Sequence, residues 1–153
     1  MIDFTTFFAK TKVERLSFKT RREVNYQHEV IFLSSYLHDA RFSRSDFVQT
    51  DGKITVRLER DCWEFCTRIH QGRKTLLTVP SILTISGIDE CYWNKNVEEK
   101  IFTIRSVFIG ERQYLERGKA HLIIDCPYQD VRIDVIGSDD YFDISLDDQA
   151  DPE

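Results

Sequence analysis

The pair His38-Asp39 is a residue combination that could perform acid–base chemistry. An imidazole can exchange a proton near neutral pH, and a neighbouring carboxylate can hold the ring in one orientation. Adjacent residues of a strand point to opposite faces, however, so Asp39 could not easily orient His38 if both lie in a strand. The alternative is structural, with Asp39 bonded to local backbone amides where a strand begins. Aspartate is common at such turns, and the sequence therefore favours the structural interpretation.

Cys62, Glu64 and Cys66 could add a thiol nucleophile or metal ligands to this pair. A thiol nucleophile needs a base in contact, and no local motif marks either cysteine as activated. The spacing of the two cysteines places them on one side of a strand or a helix, too loosely to define a metal pair. No catalytic or metal-binding motif is complete, and no cofactor is expected. The candidates for a small enzyme or a composite metal site are His38, Asp39, Glu64 and Cys62.

An Asp-Gly turn predicts how these residues are placed. Asp51-Gly52 tolerates the positive φ angles of a type I′ hairpin turn. If these two residues form the loop, Thr50 faces Lys53, and the pairing continues to Phe47 opposite Val56. The same register also brings opposite charges together on the two strands, namely Asp46 with Arg57 and Arg44 with Glu59.

Carried further, the register places Asp39 opposite Glu64 and Arg41 opposite Cys62. Two facing carboxylates repel unless a cation lies between them. Arg41, two positions from Asp39, points to the same face and is the expected partner. A bulge near residues 43–45 would shift every pairing beyond it.

Two tryptophans follow apolar strands and lie beside a cysteine or a tyrosine. Trp63 is expected in the core, where an indole fills space and needs one hydrogen-bond partner. Trp93 is followed by the polar residues 94–96, so it is expected near a rim with Tyr92. Exposed aromatic residues and arginine often anchor protein partners. Arg41, Trp93 and Tyr92 are therefore the predicted binding residues.

Period-two alternation of apolar and polar residues from Phe42 onward predicts a mainly β fold. "KITVRLER" and "VRIDVIG" alternate in this way, and "KIFTIRSVFIG" is expected to form one strand that ends at Gly110. About seven or eight strands separated by turns indicate an antiparallel β-sandwich or a curved meander.

A chain of 153 residues without a linker predicts a single β-rich domain over 1–153. Only residues 1–40 suit a helix: "TTFFAKTKVERL" predicts a short N-terminal helix, whereas "VIFLSSYL" suits a helix or a buried strand equally. Residues 147–153 are expected to form a flexible acidic tail.

Composition excludes several classes of function. The net charge of −5 argues against nucleic acid or anionic membranes as partners, because phosphate binding needs a basic face. No apolar run approaches the ~20 residues that cross a bilayer. The first residues also lack the basic and then apolar pattern of a secretory signal. A cytoplasmic protein with free thiols is therefore expected.

"YLHDARF" followed by a turn and "ITVRLERDCWE" resembles small bacterial β-rich proteins that carry an (F/L)HD(A/S) motif. That group includes proteins of unknown function and immunity-type proteins of toxin systems. The resemblance covers residues 37–64, and "SILTISGIDECYW" is similar to a later strand of such proteins. It implies a non-enzymatic domain whose hairpin begins at His38-Asp39 and which acts by binding another protein.

Three functions are therefore compared below. A protein-binding module should expose an apolar or aromatic patch. A β domain that binds a small molecule should enclose a pocket lined by phenylalanines. An enzyme should bring His38, a carboxylate and a thiol within hydrogen-bond reach of one another.

Overall fold

The fold is given by a computed structural model that describes residues 15–20, 26–61, 68–70, 73–75, 78–110, 114, 116–139 and 142–149. Within these residues the predicted mainly β, antiparallel architecture is confirmed, together with a short helix in the N-terminal part. Thirteen strands are found in the described ranges, more than the turn signals indicated, because several strands have only three or four residues. The elements in chain order are β1 (Arg15–Thr20), α1 (Tyr26–Leu37), β2 (Arg41–Ser43), β3 (Phe47–Thr50), β4 (Lys53–Asp61), β5 (Arg68–His70), β6 (Arg73–Thr75), β7 (Thr78–Ser86), β8 (Ile88–Trp93), β9 (Ile101–Thr103), β10 (Ser106–Ile109), β11 (His121–Cys126), β12 (Val131–Gly137) and β13 (Phe142–Asp148).

Seven strands form the larger sheet, in the order β1-β13-β7-β4-β2-β9, with β3 also paired to β4. All the pairings are antiparallel, and the longest joins β4 to β7, with Ile54 opposite Ile85. β13 lies between β1 and β7, so strands from the two ends of the described chain are neighbours.

Four strands form the smaller sheet, in the order β10-β11-β12-β8, and β5 and β6 pair with each other. The segment predicted to be one strand before Gly110 is in fact two strands, β9 in the larger sheet and β10 in the smaller one. The change of sheet occurs at Ile104 and Arg105. Ile104 N–H donates to the Ala40 carbonyl, and Arg105 N–H donates to the Asp125 carbonyl. The chain turns this corner without glycine or proline.

Both sheets and α1 contribute side chains to one core. Alternate residues of each strand point inward, as the period-two pattern requires. The largest fully buried apolar side chains are Phe102, Phe142, Leu33, Leu37, Ile54, Leu83, Ile85, Ile104, Leu122, Ile124 and Ile133. The inward-facing side chains of both sheets belong to one cluster, as expected for an antiparallel sandwich.

The hairpin register is confirmed next to the turn. Thr50 lies opposite Lys53 and Phe47 opposite Val56. The turn itself is not the predicted type I′, because Gly52 has a positive φ but Asp51 does not. Local turn chemistry was therefore enough to set the first pairs.

Beyond Phe47 the predicted register is wrong, because residues 44–46 form a 3₁₀ turn that leaves the ladder. Ser43 N–H and Oγ both bond to the Asp46 carboxylate, at 3.0 and 2.7 Å. Pairing resumes in β2 with Arg41 opposite Glu59 instead of Cys62. The predicted pairs of Asp46 with Arg57 and Arg44 with Glu59 do not form.

Residues 26–37 form a helix, which decides between the two alternatives for "VIFLSSYL". Val30, Leu33 and Leu37 are buried at helical spacing. Of the segment predicted to be helical, residues 5–14 lie outside the described residues, and Arg15 and Leu16 begin β1. None of the described helices is long and apolar enough to cross a membrane.

The predicted flexible tail is corrected at its start, because β13 continues through Asp147 and Asp148. Asp148 is buried and forms an ion pair with Arg60 of β4. The first two residues of the acidic segment are therefore part of the sheet.

Candidate functional site

His38 and Asp39 lie in the turn between α1 and β2, and neither belongs to a strand. Asp39 has a φ of 64°, a left-handed conformation that aspartate tolerates better than most residues. Its N–H donates to the Ile104 carbonyl at 2.8 Å. Because the pair lies in a turn, its side chains can meet, and His38 Nδ1 is 3.4 Å from Asp39 Oδ2.

The geometry of this pair is loose for acid–base catalysis. A distance of 3.4 Å exceeds a normal hydrogen bond, and the His38 side chain is half exposed to water. The described residues contain no group of three or more His, Cys, Asp or Glu side chains that could hold a metal ion. Cys62 and Glu64, with Trp63, lie outside the described residues, so their part in an enzyme or metal site stays a prediction.

Arg41 pairs with the Asp61 carboxylate and reaches Asp39, its predicted partner, only at the backbone carbonyl, while Glu64 lies outside the described residues. Its guanidinium donates to both carboxylate oxygens of Asp61, at 3.1 and 3.3 Å, and to the Asp39 carbonyl at 2.8 Å. Hydrogen bonding to Asp61 raises the pKa of Arg41 above its ordinary value. Thr78 Oγ1 also donates to Asp61. Arg41 thus ties β2 to the end of β4.

Trp93 lies at the rim of the core, where the sequence placed it. Its ring meets those of Phe47 and Phe102 edge to face, with centroids 5.1 and 5.7 Å apart. The Arg44 guanidinium stacks 4.4 Å above the indole, a cation–π contact. Tyr92 is half exposed, and a hydrogen bond with Glu90 raises its pKa. The two predicted aromatic binding residues therefore differ in accessibility.

The two thiols among the described residues are held in an unreactive form. Burial raises the pKa of Cys91 to about 11 and that of Cys126 to about 12. A nucleophilic thiol needs the opposite shift. Both cysteines act as small apolar side chains packed in or against the core.

The structure contains a second histidine–aspartate pair that the sequence did not single out. His121 is buried, and its Nε2 lies 2.7 Å from Asp134 Oδ1. Burial raises the pKa of Asp134, but hydrogen bonds with Arg132 and His121 outweigh it and leave that pKa below its usual value. The Tyr114 ring packs on the imidazole, and Gly110 leaves room for it. A buried, covered imidazole orders the fold and is not accessible to a substrate.

Among the described residues, a groove lies between α1 and β10 and is called here the α1–β10 groove. It has a volume of about 670 Å³ and is open to solvent. Two exposed apolar side chains line it: Ile31, which is 62% exposed, and Phe108, which is 41% exposed. The full set of lining residues is Ile31, Ser34, Ser35, His38, Arg105, Ser106, Val107 and Phe108.

One wall of the groove is a face of α1, and the other is β10 with the residue before it. The helix residues 31, 34 and 35 lie on one face of α1 and His38 lies in the turn that follows, while the buried residues of α1 face the core. On the strand wall, Val107 points into the core and Phe108 outward. Val107 N–H donates to Ser34 Oγ at 2.9 Å, which fixes α1 against the edge of the smaller sheet.

Of the predicted site residues that the structure describes, only His38 lines this groove. Ile31, Arg105 and Phe108 were missed. Ile31 carried no clear signal, because it lies in a continuous apolar run with Val30 and Leu33, which are buried. Arg105 carried no local signal, since its position depends on the corner between the two sheets.

Comparisons of the chain with protein-family models, with curated proteins and with solved structures gave no match.

Proposed function

We propose that this protein is a non-enzymatic protein-binding module, and that it binds a segment of a partner protein in the α1–β10 groove. The observation that carries the proposal is the exposure of Ile31 and Phe108 on the two walls of one open groove. Single exposed apolar residues are normal on a protein surface, whereas a concave surface with apolar side chains on both walls is typical of a binding site.

The shape of the groove favours a protein segment over a small molecule. A small-molecule site encloses most of its ligand. The phenylalanines that could line such a cavity are packed on one another instead, with Phe42 5.5 Å from Phe102 and 6.2 Å from Phe47 between ring centroids. An open groove between a helix and a strand suits an extended or helical segment of another chain.

The chemistry of the described groups favours binding over catalysis. His38 lines the groove, but its contact with Asp39 is loose, and burial raises the pKa of both described thiols. The resemblance of the hairpin sequence to bacterial immunity-type proteins extends the proposal to a toxin-neutralising role in a bacterial cytoplasm. The exposure of Ile31 and Phe108 supports partner binding independently of that role.

Selection of peptides on the purified protein tests the proposal. A random linear peptide library displayed on phage is enriched on the wild type, and the dissociation constants of selected peptides are measured by fluorescence polarisation. The variants Ile31→Asp and Phe108→Ser should each weaken binding by about tenfold, which corresponds to ~1.4 kcal/mol for a contributing apolar contact.

Val48→Asp is a matched control, because Val48 is an exposed aliphatic residue of β3 that does not line the groove. It should leave binding unchanged, and circular dichroism should show that all variants are folded. The proposal fails if no peptide is enriched, or if the selected peptides bind the groove variants and the control equally well.

A further inference from the structure

Building on the proposed function, we infer that the α1–β10 groove recognises a carboxylate. The partner segment carries an aspartate or glutamate that pairs with Arg105, and its adjacent apolar side chains pack on Ile31 and Phe108. The inference names the chemistry of the partner, which the proposed function leaves open.

Arg105 is exposed at the corner where the chain passes from β9 to β10. Its backbone N–H donates to the Asp125 carbonyl at 2.9 Å, which holds the corner in place. Among the residues that the structure describes, no carboxylate lies within ion-pair distance of its guanidinium. The side chain is therefore placed by the fold but has no internal counter-ion from that part of the chain.

Three other described arginines have an aspartate partner: Arg41 pairs with Asp61, Arg60 with Asp148 and Arg132 with Asp134. The chain has 26 acidic residues against 21 basic ones, so carboxylates are not scarce. Arg105 has no such partner among the described residues and lines the same groove as the exposed Ile31 and Phe108, so it supplies positive charge to the groove of an acidic protein. A partner with the complementary charge would be a carboxylate-bearing segment.

A second polar group of the groove suits the same ligand, because the Ser106 hydroxyl lines it and can donate a hydrogen bond to an anion. One planar guanidinium matches the two oxygens of a carboxylate, whereas phosphorylated segments are usually held by clusters of arginines. The described lining contains one arginine, and the arrangement therefore favours a carboxylate over a phosphate.

A double-mutant cycle between protein and peptide tests the inference. A peptide selected on the wild type, and shown to need Ile31 and Phe108, is synthesised with its acidic residue and again with the corresponding amide. We expect Arg105→Gln to weaken binding of the acidic peptide about fivefold, as for a partly exposed ion pair. Arg105→Gln should have no effect on the amide peptide, and the fivefold difference should shrink at high salt.

Arg57→Gln is the matched control, because Arg57 is an exposed arginine of β4 that does not line the groove. The inference is overturned if Arg105→Gln behaves like this control, or if the selected peptides share no acidic residue. It is also overturned if a phosphoserine peptide without carboxylates binds more tightly than the acidic peptide and depends on Arg105. If Ile31→Asp and Phe108→Ser still weaken binding, the proposed function survives and only the inference of carboxylate recognition is overturned. If these variants also bind normally, both proposals fall.

Discussion

Replacing Asp148 with alanine should destabilise the protein by about 3–5 kcal/mol, because the change leaves a buried guanidinium without its carboxylate. Asp148 belongs to β13 and Arg60 to β4, and β7 lies between these two strands in the larger sheet. The pair therefore holds three adjacent strands together at one end of the sheet.

The magnitude follows from the burial and geometry of the pair. The side chains of Arg60 and Asp148 are 0% and 1% exposed. Two parallel hydrogen bonds join them, with Nε 2.6 Å from Oδ1 and a terminal nitrogen bonded to Oδ2. Ser81 Oγ donates to the same carboxylate at 2.6 Å, and the Tyr36 ring lies 5.4 Å from the guanidinium carbon. Water has no access to replace the carboxylate once it is removed.

Urea unfolding followed by circular dichroism measures the change in the free energy of unfolding. Thermal unfolding should show a midpoint lowered by roughly 6–20 °C for a chain of this size. Asp61→Ala is the control, because it removes the aspartate from Arg41, whose side chain is 32% exposed and can be solvated. Its cost should be about 1 kcal/mol. The double variant Arg60→Met/Asp148→Leu should lose less stability than Asp148→Ala alone, since it leaves no buried charge.

Costs of Asp148→Ala and Asp61→Ala that agree within about 1 kcal/mol would contradict this expectation, because exposed pairs alone could produce such a difference. A double variant less stable than Asp148→Ala would also contradict it. Either result would mean that water reaches the guanidinium in the folded protein.

Three further outcomes can be measured on the same protein. The pKa of Cys91 is about 11 and that of Cys126 about 12. Both thiols should therefore react with iodoacetamide at pH 8 far more slowly in the folded than in the urea-unfolded protein. Equal reaction rates, measured by mass spectrometry, would contradict this. Gly110→Ala should lower the free energy of unfolding by about 1–3 kcal/mol, since a Cβ there would overlap the His121 ring; an unchanged thermal midpoint would show that the ring can move. The pKa of Asp134 in the folded protein is lowered below its ordinary value of 3.8. Its charged form should therefore stabilise the fold above pH 3.8, and this stabilisation should be lost as the pH falls through the lowered pKa of the folded state. The stability difference between wild type and Asp134→Asn should therefore shrink from pH 6 to the most acidic pH at which both fold, and a constant difference would exclude this linkage.

The sequence predicted the fold best where local chemistry determines structure. The Asp-Gly turn set the pairing of Phe47 with Val56, because a two-residue loop leaves little freedom in register. The prediction failed at residues 44–46, where Ser43 bonds to the Asp46 carboxylate and takes these residues out of the ladder. Such a side-chain bond competes with strand pairing and carries no periodic signal.

The helix was ambiguous because four apolar residues follow one another. Val30 and Leu33 are buried at helical spacing, whereas Ile31, adjacent in sequence, points outward. A continuous apolar run hides that spacing, and it equally suits a buried strand. The exposed residue that marks the groove was therefore indistinguishable from the core residues beside it.

The groove also depends on a contact that sequence patterns do not encode. Arg105 lies at a corner between two sheets, and the corner contains neither glycine nor proline that would mark it. The buried position of Arg60 was easier to recognise from the sequence pattern. Arg60 continues the inward-facing positions of Val56 and Leu58, so the alternation already required a buried partner for it. That partner, Asp148, was hidden in an acidic segment that resembled a tail.

The position of β13 between β1 and β7 also has a consequence for the order in which the molecule can be assembled during synthesis. A ribosome that has delivered β7 but not yet β13 exposes two strand edges that have no permanent neighbour. Pairings between strands so distant in the chain form slowly, and unpaired edges invite association with other chains in the meantime. The nascent protein should therefore depend on chaperones until residues 142–148 emerge, and shortening the chain within this segment should lead to aggregation.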